Sequence, residues 1–178
     1  MLFSSIYGGF MKTLVNLINM LYDKLDIETN WEIEINKAIT ALLKAYCTQS
    51  LKLTKDYEVV ITDLNRERTY GYTYGVYRSS TKQVLLDRST SNYVEYAIDH
   101  KINTLFSIVE TTLHEFRHAW QFEGNMEIPK NYVHGDTEET FKEYENQPIE
   151  KDARNWASRQ CKDACEYVAD NLVQYLMK

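Results

Sequence analysis

Residues 102–124 read INTLFSIVETTLHEFRHAWQFEG, and this stretch decides the fold. Ile102, Leu105, Phe106, Val109, Leu113, Phe116 and Trp120 recur at intervals of three and four. That spacing gathers apolar side chains into one stripe of an α-helix. The stripe runs through about five turns, and Gly124 ends it. A helix over residues 102–123 therefore commits one face to a core. His114 and His118 lie off that stripe. They are four residues apart, just over one turn, so both imidazoles leave the helix in the same direction. Thr111 and Gln121, their neighbours on that face, are polar.

Two imidazoles so placed can bind one divalent cation. Zinc accepts imidazole nitrogen at about 2.0–2.1 Å, and a catalytic zinc uses three protein ligands and keeps one position for water. Glu115 stands beside the first histidine, on the side from which a carboxylate reaches that water and takes its proton. The plainer alternative is a chance match of three common polar residues. Against it, the motif sits inside a strongly periodic helix, uses two of the chain's four histidines and follows a pair of strands. A third ligand must come from elsewhere, and two residues offer themselves. Glu150, in PIEKDA at residues 148–153, opens the last helix, where a carboxylate is favoured electrostatically and held rigidly. His134, in VHG at residues 133–135, lies in a polar loop. Their plainer roles are helix-start charge and solvated loop residue. Rigidity favours Glu150; both remain candidates.

Upstream, Leu14, Val15, Leu17, Ile18, Leu21, Tyr22 and Leu25 fall at helical spacing. After a turn at residues 26–30, Trp31, Ile35, Ala38, Ile39, Leu42, Leu43 and Tyr46 mark a second helix. The period then changes. Residues 58–64 (EVVITDL), 70–78 (YGYTYGVYR) and 82–88 (KQVLLDR) read as short strands, the last two a hairpin across Ser79-Ser80-Thr81. A helical turn or two follows at residues 93–99. Beyond the long helix, residues 123–147 are polar, with Pro129, Gly135 and an acidic run at Glu138 to Glu145, and read as a long surface loop. Pro148 opens a final helix over residues 148–177, striped by Ile149, Ala153, Trp156, Ala157, Ala164, Val168 and Leu172. The order is helix, helix, three strands, long helix, loop, helix. It predicts one α+β domain over residues 1–178, with N-terminal helices in 1–50 and a small, mainly antiparallel sheet in 58–88 packed on helices.

The chain's 178 residues suit one core. Only 6 Gly and 2 Pro leave no room for long flexible linkers. The 14 tyrosines offer side chains with a polar tip to line a cleft. A net charge of −6 argues against a nucleic-acid backbone as the main partner, which calls for a basic face. Cys47, Cys161 and Cys165 are an odd, sparse set and read as reduced thiols in a cytoplasmic setting. Cys161 and Cys165 share a helix face and could clip a metal, though such pairs are usually small buried side chains. Near the N-terminus, Lys12, Asn16 and Asn19 interrupt the apolar residues, so neither a membrane span nor a cleavable signal is expected.

HEFRH at residues 114–118, followed by a helix carrying EKDA at residues 150–153, resembles the zincin-type (HExxH) metallopeptidases, in particular the ImmA/IrrE-like proteins of bacteria and phages. The resemblance covers roughly residues 70–157 and rests on one specific motif and one looser one. It implies a zincin-like fold with zinc held by His114, His118 and Glu150, the last through a Glu-x-x-Ala pattern ending at Ala153. It also implies Glu115 as general base and later proton donor in hydrolysis of a peptide bond, with a protein or peptide substrate of narrow range. The chain departs from the pattern after the alanine, where relatives often carry Asp or Asn and this one has Arg154. Asp152 is then the residue that could orient a ligand histidine. A second resemblance, to SprT-like proteins, would take the third ligand from His134 before Gly135, with Phe141 downstream. Those proteins act near DNA, which the acidic balance fits poorly. The strand at residues 82–88 is expected at the sheet edge, where an extended peptide can pair. An oxyanion donor is needed as well; Tyr132, Tyr144, His134 and Arg117 are candidates, Arg117 more as a charge supporting the ligands from behind. Two other classes stand beside the enzyme: a zinc-binding regulatory or interaction protein on the same scaffold, and a helical interaction domain without metal. Glu115 favours the enzyme, since a structural zinc site has no use for a base.

Overall fold

Apolar periodicity shapes three long helices, and their packing builds the core. The computed structural model of the chain describes Thr13 and residues 15–20, 31–64, 73–88, 98–135 and 137–177. The expected turns at 26–30 and 93–97, the end of the first helix and residues 70–72 of the second strand lie outside the described residues. So do the side chains of Trp31, Ile102 and Phe106. Helix α1 is Trp31–Leu51, strands β1, β2 and β3 are Glu58–Thr62, Gly75–Arg78 and Gln83–Asp87, and α2 is Ile98–Trp120. A short helix α3, Glu138–Asn146, and the long α4, Pro148–Leu176, complete the order, which is that of an α+β domain. Residues 15–20 are helical, and Val15 and Ile18 within them are buried.

The stripes face one another. Ile35, Ile39 and Leu43 of α1 meet Leu105, Val109, Leu113 and Phe116 of α2 and Ala157, Ala164, Val168 and Leu172 of α4 in one cluster. Small side chains on the buried face of α4 (Ala153, Ala157, Cys161, Ala164) let it approach its neighbours closely. All three cysteines are free thiols buried in this cluster.

The sheet departs from its expected form in two ways. β2 and β3 form the antiparallel hairpin foreseen, pairing Gly75 with Leu86 and Arg78 with Gln83. β1, however, runs parallel to β3, pairing Glu58 with Gln83 and Thr62 with Asp87. The sheet is thus mixed, not mainly antiparallel, and its order is β1-β3-β2. β3 accordingly lies in the centre and not at the edge. The cause is visible in its side chains. Val84, Leu85 and Leu86 are consecutive and all buried, so both faces of this strand are covered and it takes the most enclosed position. β2, an edge among the described strands, lies against α2.

The stretch expected as one surface loop, residues 123–147, is also more ordered than that. α2 runs into a π-turn, Gln121–Asn125, ended by Gly124 at φ 92°. The carboxylate of Glu123 on this turn accepts hydrogen bonds from Thr54 N and Oγ1, Lys55 N and the Tyr57 hydroxyl, the last at 2.7 Å. Further on, Thr137 and Thr140 form a reciprocal cap that starts α3, and Glu138 and Glu139 in its first turn complement the helix dipole. The acidic run is therefore the solvated face of a helix. Arg154 of α4 donates to the Glu145 carbonyl in the last turn of α3 and so joins the two helices.

Candidate metal centre

The helical period places His114 and His118 on one face of α2, and Pro148 starts α4 so that its first turn comes to that face. Pro is suited to the first turn because its missing N–H has no helical partner to lose. The result is a convergence of three side chains. His114 Nε2 and His118 Nε2 are 3.0 Å apart, and each lies 3.3 Å from a different oxygen of Glu150. Among the described residues, His114, His118 and Glu150 are the one group whose ligand atoms all lie within 4.8 Å and could hold a metal ion.

These residues fit a small divalent cation. Ligand atoms about 2.0–2.1 Å from a tetrahedral centre stand about 3.3 Å from each other, against 3.3 Å for each nitrogen–oxygen pair and 3.0 Å for the two nitrogens here. Glu150 is fully buried, and its Oε2 has no hydrogen-bond partner although it faces His114. A buried carboxylate oxygen left so costs several kcal/mol, about, unless a positive group faces it. Burial resists the charge on Glu150, but the two imidazoles outweigh it and hold the carboxyl well below its usual range. Burial likewise resists a charge on His118; Glu150, Glu115 and Gln121 outweigh it and raise its pKa.

Around the three side chains lies a polar shell. Gln121 is buried, with its Oε1 2.7 Å from His118 Nδ1 and its Nε2 donating to Ile149 O and to Asp152 Oδ2. Asp152 accepts from Arg117 Nε and Nη2 at 2.8 and 3.2 Å. The guanidinium of Arg117 stacks 3.7 Å above the Trp120 ring. Asp152 thus reaches the histidine through Gln121 and does not touch it, and Arg117 points away from the centre as its helix position implied.

Glu115, next in sequence to His114, is buried, and its charge acts on His118. The backbone of β2 comes down upon Glu115: a Cβ placed at Gly75 would lie 2.9 Å from Glu115 Cγ and 2.5 Å from Thr111 Cγ2. Only glycine leaves room for that carboxylate. On the opposite wall the Tyr132 hydroxyl donates to Glu150 Oε1 at 2.8 Å, and the Tyr144 ring stands edge-on to Tyr132. Burial first, and then the charge of Glu150, push both phenols well above the ordinary tyrosine value, so both remain donors. The Gln147 side chain binds both Val133 N and Val133 O and so fastens the strand of chain that carries Tyr132. His134 is exposed, packs edge-on to Tyr132 and does not join the ligand group.

The sequence reading brought forward the two histidines, Glu115, Glu150 and Asp152. It missed Gly75 and Gln147, and saw in Gln121 only a polar neighbour. In comparison with known proteins, the chain matches no family model, no curated protein and no solved structure.

Proposed function

We propose that the protein is a zinc-dependent peptidase of zincin type with a narrow range of protein or peptide substrates. What carries this reading is the meeting of His114, His118 and Glu150 from two helices, with Glu115 buried beside them. Glu150 and not His134 joins the imidazoles, which favours the ImmA/IrrE-like pattern over the SprT-like one. Zinc on these three ligands would supply Lewis acidity, polarising a peptide carbonyl and making water acidic enough to lose a proton near neutral pH.

The chain's own groups do the rest. The carboxylate of Glu115 takes a proton from water as the water oxygen bonds to the carbonyl carbon. It then gives that proton to the departing nitrogen as the C–N bond breaks, so it ends as it began. Tyr144, held protonated beside Glu150, is the donor left to stabilise the oxygen that becomes negative; the Tyr132 hydroxyl is given to Glu150 Oε1 and Arg117 is committed to Asp152. A peptide lying along the edge strand β2 would pass over Gly75 and Glu115, so β2 takes the part first expected of β3.

The test uses untagged protein, its zinc content and an internally quenched peptide library. Native protein should carry about one zinc and cleave part of the library. Glu115→Gln should keep the zinc and lose about 10²–10⁴-fold in rate. Less than about half an equivalent of zinc in the native protein would remove the metal centre. Equal cleavage by both proteins would remove Glu115 from its role, and zinc without cleavage by either would leave a zinc-binding interaction protein.

A further inference from the structure

Gln121 is buried and all of its polar atoms are engaged, which fixes more than its own position. Its Nε2 faces a backbone carbonyl, Ile149 O, at 3.0 Å and a carboxylate, Asp152 Oδ2, at 2.8 Å. Both can only accept, so this end of the amide must be the NH₂ group. The other end is then the carbonyl oxygen, and it lies 2.7 Å from His118 Nδ1. An oxygen there accepts only, so Nδ1 must carry a hydrogen. In the neutral ring Nε2 is left with its lone pair, and Nε2 is the atom that faces His114 and Glu150.

The same amide also joins the two helices that supply the ligands. Ile149 and Asp152 flank Glu150 at the start of α4, and His118 belongs to the last turn of α2. Arg117 holds Asp152 from the far side with two hydrogen bonds and is itself stacked on Trp120. The π-turn begins at Gln121, immediately after the regular helix stops at Trp120. We propose that Gln121 is a positioning residue for the cation site. It latches the α4 first turn to the end of α2 and fixes His118 as the Nδ1–H tautomer, so that the centre is assembled before any metal arrives. This rests on the metal-centre reading above.

The experiment has two readouts on the full chain. Long-range ¹H–¹⁵N correlation spectra of metal-free protein, in alkaline buffer where the ring is neutral, report the tautomer. His118 is assigned by its loss in His118→Gln. Competition for zinc with a chromophoric chelator reports affinity, and a thermal melt confirms that each variant is folded. Native His118 should be Nδ1–H. Gln121→Met, close in size but without an acceptor, should lose that single tautomer and weaken zinc binding about 10- to 100-fold. Gln121→Glu keeps an acceptor for Nδ1–H but has no donor for Ile149 O or Asp152, so it should keep the tautomer and still lose affinity. A native ring in the Nε2–H form overturns the proposal, as does Gln121→Met with an unchanged tautomer and native affinity. Native protein that binds no zinc overturns the proposed function instead, while the tautomer in the metal-free protein still decides whether the latch exists.

Discussion

Gln121 and Glu123 lie two residues apart on one π-turn, and each gathers several partners, yet they face different parts of the molecule. Gln121 is fully buried and bonds inward, to His118, Ile149 and Asp152. Glu123 is half-buried and bonds outward, to the connection between α1 and β1 at Thr54, Lys55 and Tyr57. Their chemistry follows their surroundings. Around Gln121 stand two acceptors and one donor, which a neutral amide satisfies completely and a carboxylate beside Asp152 would not. Around Glu123 only donors converge, and nearby water lowers the cost of its charge, so a carboxylate suits the place. One side of the turn therefore serves the centre and the other serves the fold. Changes on the first should alter metal binding or catalysis; changes on the second should alter stability and leave metal binding as it was.

The largest effect is expected from Glu150→Ala. Two imidazoles alone make a poor zinc site. Affinity should fall by more than the roughly 100-fold that loss of an outer partner causes, as measured by chelator competition. Zinc bound within about tenfold of the native affinity would mean that α4 does not supply a ligand, and the division between the two sides would break. Gly75→Ala sharpens the same side. The added methyl group would meet Thr111 Cγ2 and Glu115 Cγ closer than atoms can approach, so the Glu115 carboxylate must shift. A displacement of about 1 Å costs about 10²-fold in rate, whereas His114, His118 and Glu150 are left as they are. Peptide cleavage should drop accordingly with zinc affinity unchanged. If both fall together, β2 supports the ligands as well as the base.

How much of this could be read from the sequence depends on the distance over which each signal acts. The stripes of α1, α2 and α4 are local and periodic, and the buried residues of all three match them. The histidine pair is local too, and Glu150 was accessible because Pro148 marks the start of a rigid element. The position of β3 was legible but misread: chain order suggested an edge, while Val84-Leu85-Leu86, apolar without alternation, indicates a strand covered on both faces. α3 was obscured by its charge, although Thr137 and Thr140 with two acidic residues after the cap are a helix-start signature. Gln121 and Gly75 are different in kind. Asp152 lies 31 residues from Gln121, and Gly75 matters because another element passes over it, so neither leaves a mark in its own neighbourhood of sequence.

The smallest of these effects belongs to Glu123, and it carries a pH signature that separates stability from the site. Burial opposes its charge, but the hydrogen bonds from Tyr57, Thr54 and Lys55 outweigh that and lower its pKa in the folded protein. A carboxyl group with a folded pKa below its unfolded one contributes stability that is fully present above the unfolded value and disappears as pH falls through the folded value. Glu123→Gln keeps one acceptor and loses the charge, so it should cost about 1–2 kcal/mol at neutral pH, measured by urea unfolding of metal-free protein. The deficit should shrink as the buffer is taken through the carboxylate range, because the native protein loses its advantage there and the variant has none to lose. Zinc affinity should stay at the native value throughout. Parallel acid limbs for the two proteins would show that the charge of Glu123 contributes nothing to the fold. A change in zinc affinity without one in stability would show that the outer side of the turn reaches the centre after all, and the contrast with Gln121 would then be one of degree.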